Sequence, residues 1–368
     1  MARRRLSDLE RRARERMRLV SPENAGKVLS ADIYWTVPFL ELYLERCDEI
    51  AFEDPRQAHL LARHAPGLAA LIGVGARPGE YAGEMQKRSF RVHALAVHAG
   101  ICRRIGELSE ATRQYRLAFD LLDAGAILPR AEAELRARHA LLLHQVQRLE
   151  ESIVGYTRAL DLLTQIGDPA GKAQVLVLRA GWYWTQQDPT KASLDLAESF
   201  AEAAKAISDP RAERAVTTAC KNMALLLSER PLSLSAYSRA AALIEAARKR
   251  TSRSRTSLIK MKILWIEASI NRALHFAPHA YRLLSRARDG FKRLAVPDFF
   301  AIASLEMAAM LLEDGDFESL DQLRKDTVTS LNAMTEDALF LNALGQWSSR
   351  PSDRSLNAIK RSLQERSA

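Results

Sequence analysis

Small and apolar residues recur along this chain at helical spacing, in units that each hold two amphipathic stretches separated by a break. Six units share one register. An alanine sits in the first stretch of each, at Ala99, Ala140, Ala180, Ala224, Ala268 and Ala308, so the steps are 41, 40, 44, 44 and 40 residues. Seven residues later comes a turn position: Gly106, Gln147, Gln187, Pro231, His275 and Gly315. Twelve residues after the alanine stand Ala111, Ser152, Ala192, Ala236, Ala280 and Leu320. Sixteen after it stand Tyr115, Tyr156, Leu196, Ala240, Leu284 and Arg324, and nineteen after it Ala118, Ala159, Ser199, Leu243, Ala287 and Thr327. Two antiparallel helices need small side chains where they cross if their axes are to approach to about 8–10 Å. A larger residue one turn on fills the space beside the crossing. Pro129, the Gly167-Asp168-Pro169 run, Asp209-Pro210 and Pro297-Asp298 supply the turn and linker chemistry between units.

The pattern predicts an all-α chain of paired helices over residues 88–333. It resembles the tetratricopeptide repeat, a helix–turn–helix unit, most clearly around Ala99, Ala140 and Ala308. That family's usual period is about 34 residues. The longer steps here look like the long-helix variants of peptide-receptor regulators and kinesin-light-chain-type adaptors. The mid-helix aromatic of the family has one good counterpart, Tyr183. The resemblance implies a right-handed α-α superhelix, a TPR-like solenoid that presents the first helix of every repeat on a concave face.

Outside the array the pattern is less regular. Residues 1–37 read as a basic arm, with Leu6, Leu9, Ala13 and Met17 on one side, and a short helix that starts at Ser21-Pro22 and reaches Tyr34-Trp35. Residues 38–87 read as a divergent first repeat followed by a loop at 74–84. Its second helix is expected to start at Asp54-Pro55 and to carry Ala58, Ala62 and Ala65. Residues 334–368 read as a capping helix pair, 336–347 and 352–366, with a polar outer face.

Composition narrows the class. Of 368 residues 47% are hydrophobic, glycine (16) and proline (13) are scarce, and mean hydropathy is −0.20. A turn-rich β fold, collagen and low-complexity disorder do not fit these values. No apolar run reaches the roughly 18–20 residues of a spanning helix, and the charged N-terminus has no apolar stretch behind it. Cys47, Cys102 and Cys220 are odd in number and far apart, which points to free thiols in a reducing compartment, the cytoplasm. The net charge of +9 is local. Residues 1–20 hold eight arginines and three acids, and 248–262 hold seven bases and no acid. Five bases and two acids lie in 350–368, which leaves the rest of the chain acidic. Arg248, Lys249, Arg250, Arg253 and Arg255 form a candidate basic patch that could attract phosphate or an acidic partner. It contains no aromatic for base stacking, so a solvated inter-repeat loop accounts for it as well.

Catalytic and cofactor signals are absent from the sequence. His93/His98 and His139/His144 are five apart and off one helical face, there is no H-E-x-x-H or paired C-x-x-C, and no glycine-rich phosphate loop or G-x-S-x-G. Acids alternate with bases, as at Glu132, Glu134, Arg136 and Arg138. The expectation is a non-enzyme without metal or cofactor.

Candidate binding residues lie on one stripe of each first helix: six and three before the alanine, then one and four after it. Six before stand His93, Glu134, Gln174, Thr218, Lys262 and Ile302, and three before stand Ala96, Ala137, Val177, Lys221, Trp265 and Leu305. Four after stand Arg103, His144, Trp184, Ser228, Arg272 and Leu312. Trp184 and Trp265 are the expected anchors, with Arg103, Lys221, Lys262 and Arg272 selecting acidic groups. Core packing is the alternative for both tryptophans. Gly181, mid-helix beside Trp182, Tyr183 and Trp184, would admit either a ligand or a closely packed neighbouring helix. The resemblance adds Asn222, which matches the slot two before the alanine where peptide-binding members place an asparagine on the ligand backbone. The expected function is a non-catalytic, protein- or peptide-binding scaffold. The alternatives are a ligand-responsive regulator of the peptide-receptor type and a nucleic-acid-associated protein acting through its basic segments.

Overall fold

The computed structural model describes residues 11–72, 83–229, 232–251 and 258–334. Helix is the regular structure throughout these residues. The chain forms two compact units, residues 1–167 and 168–368.

In the first unit, helical residues 11–17 lead to α1 (Ala25–Val28), a single 3-10 turn (Asp32–Tyr34), α2 (Val37–Glu53), α3 (Pro55–Ala62) and α4 (Ala65–Leu71). Then follow α5 (Glu84–Arg104), α6 (Leu108–Asp123), α7 (Pro129–Gln145) and α8 (Leu149–Gln165). The single helix expected from Ser21 to Trp35 is broken up instead. It stops at Val28 and gives way to turn at 29–31; the Asn24 side chain, which accepts from Ser21 N at 2.8 Å and donates to Leu19 O at 3.0 Å, closes its start. Asp54 behaves as its position before proline suggests: its carboxylate accepts from the backbone N–H of Arg56 and Gln57, both at 3.0 Å, and caps α3. Ala58, Ala62 and Ala65 are buried. The chain re-turns at Arg63-His64, so Ala65 begins α4.

The second unit holds α9 (Pro169–Thr185), α10 (Pro189–Ala203), α11 (Pro210–Glu229), α12 (Leu234–Thr251), α13 (Leu258–Ala273), α14 (Ala277–Arg293), α15 (Pro297–Asp314) and α16 (Phe317–Met334). Asp168 and Asp188 cap α9 and α10, each accepting a backbone N–H at 2.9 Å. The expected C-terminal helix pair, the 74–84 loop (but for Gly83 and Glu84), Arg253 and Arg255 lie outside the described residues.

The six alanines all fall in first helices, α5, α7, α9, α11, α13 and α15. Ala99, Ala140, Ala180, Ala268 and Ala308 are buried; the Ala224 side chain lies outside the described residues. All six positions twelve later are buried as well. A Cβ placed on Gly155 of α8 would stand 3.0 Å from Ala140 Cβ, and Ser152 Oγ donates to Ala140 O at 2.8 Å. The alanine is therefore where the two helices of a repeat touch. Two positions depart from the register. Leu243 is half-buried while Ile244 next to it is buried, and Arg324 is half-buried beside buried Leu323.

The turn position has its own geometry. Gly106, Gln147, Gln187, His275 and Gly315 all adopt left-handed backbone, with φ of 87°, 64°, 57°, 63° and 71°. The following residue donates back across the helix end: Glu107 N to Cys102 O at 2.9 Å, Arg148 N to Leu143 O at 2.8 Å, Asp188 N to Tyr183 O at 2.9 Å. The same bond recurs at Phe276 and Asp316. This six-to-one closure satisfies carbonyls that the helix end would otherwise orphan. Pro231, the sixth turn position, lies outside the described residues.

Candidate binding site on the first-helix faces

In the first unit the stripe forms bonded rungs between adjacent repeats. His93 Nε2 of α5 meets Glu134 Oε2 of α7 at 2.9 Å. Although burial opposes its charge, the imidazole beside it holds Glu134 well below the usual carboxylate range. One turn after Ala99, Arg103 Nη1 donates to Gln145 Oε1 at 3.0 Å. Arg138, in the slot two before Ala140, forks onto the Asp48 carboxylate of α2, with Nη1 to Oδ1 at 3.0 Å and Nη2 on Oδ2. It passes across Gly100: a Cβ there would stand 3.2 Å from Arg138 Nη1 and 3.8 Å from Tyr115 OH.

Around Arg103 some hydrogen-bonding capacity is unused. Its Nε and the hydroxyl of Tyr115 are enclosed and have no partner. Tyr156 OH is enclosed too, with the Ser152 hydroxyl, which donates to Ala140 O, beside it. Arg103 acts electrostatically on both phenols, whose ionisation burial pushes far up. The set is thus a cation with one spare N–H and two neutral hydroxyls, next to a paired Arg138–Asp48. It suits a carboxylate or carbonyl oxygen.

In the second unit the stripe closes over at its expected anchors. Trp265 is 2% exposed and Lys262 1% exposed. The Trp265 indole donates to Glu306 Oε2 at 3.1 Å and stands edge-on to Phe299. Lys262 Nζ donates to Thr217 Oγ1 at 2.5 Å and sits 4.5 Å over the Phe299 ring. Side chains of α11 and α15 cover this face of α13, so both residues belong to the core and not to an open groove. Arg272 pairs with Glu313, the same rung as Arg103 with Gln145. Trp184 is half-buried against the core of the unit, and Asn222 is half-buried. A Cβ on Gly181 would meet no described atom within 4 Å, so helix packing does not require that glycine.

No family model matches the sequence, and no curated protein does. Solved structures do. The apo form of RapI matches with a TM-score of 0.52 at 11% identity, covering 89% of this chain and 85% of that one. The chain has a tetratricopeptide-like helical-repeat fold. NprR in complex with its cognate peptide NprX (TM-score 0.36, 11% identity, 99% and 97% of the two chains) also matches. So does a tetratricopeptide repeat protein from Parabacteroides merdae ATCC 43184 (0.32, 14%, 84% and 99%).

The remaining candidates divide. His144, on a first helix of the repeat array, is half-buried, and burial lowers its basicity. The Lys221 side chain lies outside the described residues. Within the basic patch, Arg248 Nε donates to Glu267 Oε1 at 3.0 Å and Lys249 Nζ pairs with Glu245 Oε1 at 2.8 Å, while Arg250 is exposed. Two of the patch's charges are therefore offset by acids of the same repeat and of the next. Sequence reasoning missed Arg138, Tyr115, Tyr156 and Gln145 as site residues. The signal for Arg138 was its place in the slot that Asn222 also occupies. No helix among the described residues is long and apolar enough to cross a membrane.

Proposed function

We propose that the protein is a non-catalytic scaffold that binds a protein or peptide segment on the first-helix faces of its repeats, with preference for an acidic group. The observation that carries this is the Arg103 constellation. A cation on the binding stripe, with Nε unpartnered, stands with two buried phenols, of which Tyr115 has no partner. Buried polar groups are normally satisfied within the fold; here a ligand oxygen would complete them.

The second unit offers a complementary surface. At the slot two before the alanine, Arg138 reaches over Gly100 and Glu306 bonds Trp265 and Ser269 of the preceding repeat. The same register directs Asn222 toward Val177 and Gly181, beside Trp184. An amide there can donate to and accept from a peptide unit, and the bare helix at Gly181 leaves room for a backbone. Cytoplasmic residence is part of this proposal, supported by three free, buried thiols.

An array of fluorescent peptides varying in charge tests the reading. Acidic peptides should be retained over neutral and basic ones, and Arg103→Gln should weaken the best of them about tenfold or more, as expected for a charge-assisted bond. Tyr115→Phe with Tyr156→Phe should weaken it further. Retention that ignores peptide charge and the Arg103→Gln change would remove the assignment.

A further inference from the structure

On α5, His98 and Cys102 stand four residues apart, one helical turn on one face. The α3 helix lays His59 across them. One nitrogen from each imidazole and the Cys102 sulfur lie within 4.8 Å of one another. Cys102 Sγ is 3.7 Å from His59 Nδ1, and the two rings stand 5.5 Å apart at 34°. His98 is 5% exposed and Cys102 is fully buried.

Neither ring nitrogen of His98 makes a hydrogen bond. Gln114 lies beside the ring, and its Nε2 donates to Glu110 Oε1 at 2.6 Å. An enclosed imidazole facing a thiol and a second imidazole has the donor set and spacing of a metal site. A tetrahedral ion with bonds of about 2.0–2.3 Å holds its donors roughly 3.5 Å apart. The Cys102–His59 pair is already at that spacing, and the others need to close by about 1 Å.

We propose that His59, His98 and Cys102 bind one zinc ion, which clamps α3 to α5 and keeps a fourth position for water or another ligand. Two imidazoles and a thiolate suit Zn2+ over the hard cations Mg2+ and Ca2+. The outer shell is in place as well. His59 turns Nδ1 toward the sulfur while its Nε2 lies 4.0 Å from Glu107 Oε2, the carboxylate-to-histidine arrangement that orients metal-bound imidazoles. Glu107 is the residue whose backbone N–H closes the left-handed turn at Gly106, so the repeat's turn holds this carboxylate in place. Binding as the thiolate releases one thiol proton to water, and the ion's charge offsets that of the buried sulfur.

The full chain, stripped of metal and reduced, is titrated with Zn2+ by calorimetry and with Co2+ by absorption. Binding should be one to one, with a sulfur-to-cobalt charge-transfer band and tetrahedral d–d bands that Zn2+ displaces. Cys102→Ser should abolish the charge-transfer band and weaken Zn2+ by about 100-fold, while Cys47→Ser and Cys220→Ser keep both. His59→Gln, at a partly exposed position, should weaken Zn2+ comparably with circular dichroism unchanged. Glu107→Gln should weaken it about tenfold, the range of outer-shell changes. Absence of one-to-one binding by the wild type, or a charge-transfer band that survives Cys102→Ser, overturns the proposal. Neither result bears on peptide binding at Arg103.

Discussion

Gly181 separates two physical roles that one glycine can have. A mid-helix glycine costs about 1 kcal/mol relative to alanine, and at Gly155 the cost is repaid by contact with Ala140 Cβ. At Gly181 no described atom lies within 4 Å of an added Cβ. Gly181→Ala should therefore raise stability by about 0.5–1 kcal/mol in urea unfolding and weaken peptide retention on the second unit. A destabilised variant would mean that the site is packed after all. His139 permits a second residue-scale prediction. It lies edge-on to Tyr115 and Phe119, and burial, with Arg148 adding to it, pulls its pKa down to about 4. An unfolded histidine titrates near 6.5, so between these values the unfolded chain binds the extra proton. Its contribution is present above about pH 6.5 and is lost as pH falls toward 4. Unfolding measured at pH 7 and pH 4.5 should show this, and His139→Phe should flatten the slope by up to about 2 kcal/mol over that interval. At this scale the sequence was legible only in part. Spacing showed that Trp265 and Lys262 share a stripe with Arg103, but not that α11 and α15 close over them. It also paired His98 with His93, five residues away, whereas the partners that matter are Cys102, four away, and His59 on another helix.

Helix pairing was the most legible level, because one physical demand recurs six times. Close crossing requires a small residue, and the turn seven residues later must reverse the chain. The turn positions were set by count alone, across residues as unlike as glycine, glutamine and histidine, yet all five described ones adopt left-handed backbone. Gln147, Gln187 and His275 bear the Cβ penalty of that region, which is roughly 1–2 kcal/mol for an ordinary residue. Gln187→Gly should therefore stabilise the protein by about 0.5–1 kcal/mol, and Gln187→Val should destabilise it by about 1 kcal/mol or more. Both are read as shifts in the thermal midpoint. A stabilising valine would show that the turn relaxes out of the left-handed region. The element level fails where a side chain competes locally for the backbone. The expected 21–35 helix stops at Val28, where the Ser30 hydroxyl donates to Lys27 O at 2.7 Å, and apolar periodicity carries no trace of it.

For the whole molecule, a pI near 9.6 invites a reading as a polyanion binder, and the described ion pairs argue against giving that charge its full weight. Arg248 and Lys249 are held by Glu267 and Glu245, so the basic stretch presents less free charge than its composition implies. Diffuse attraction to nucleic acid should then be the ordinary non-specific kind, with a Kd of about 1–100 µM near physiological salt and a logarithm falling steeply with that of the salt concentration. An acidic peptide at the proposed Arg103 site should behave differently. Its carboxylate would meet a half-buried guanidinium, and screening acts weakly on partly enclosed pairs. Raising salt from about 0.05 to 0.2 M should cost a non-specific duplex about a thousandfold where six or more phosphates are engaged. The best acidic peptide should lose less than about tenfold. Fluorescence anisotropy with both probes, on wild type and Arg103→Gln, measures the two slopes side by side. Nanomolar retention of the duplex at the higher salt, or a peptide as salt-sensitive as the duplex, would assign the positive charge rather than the Arg103 constellation as the binding determinant.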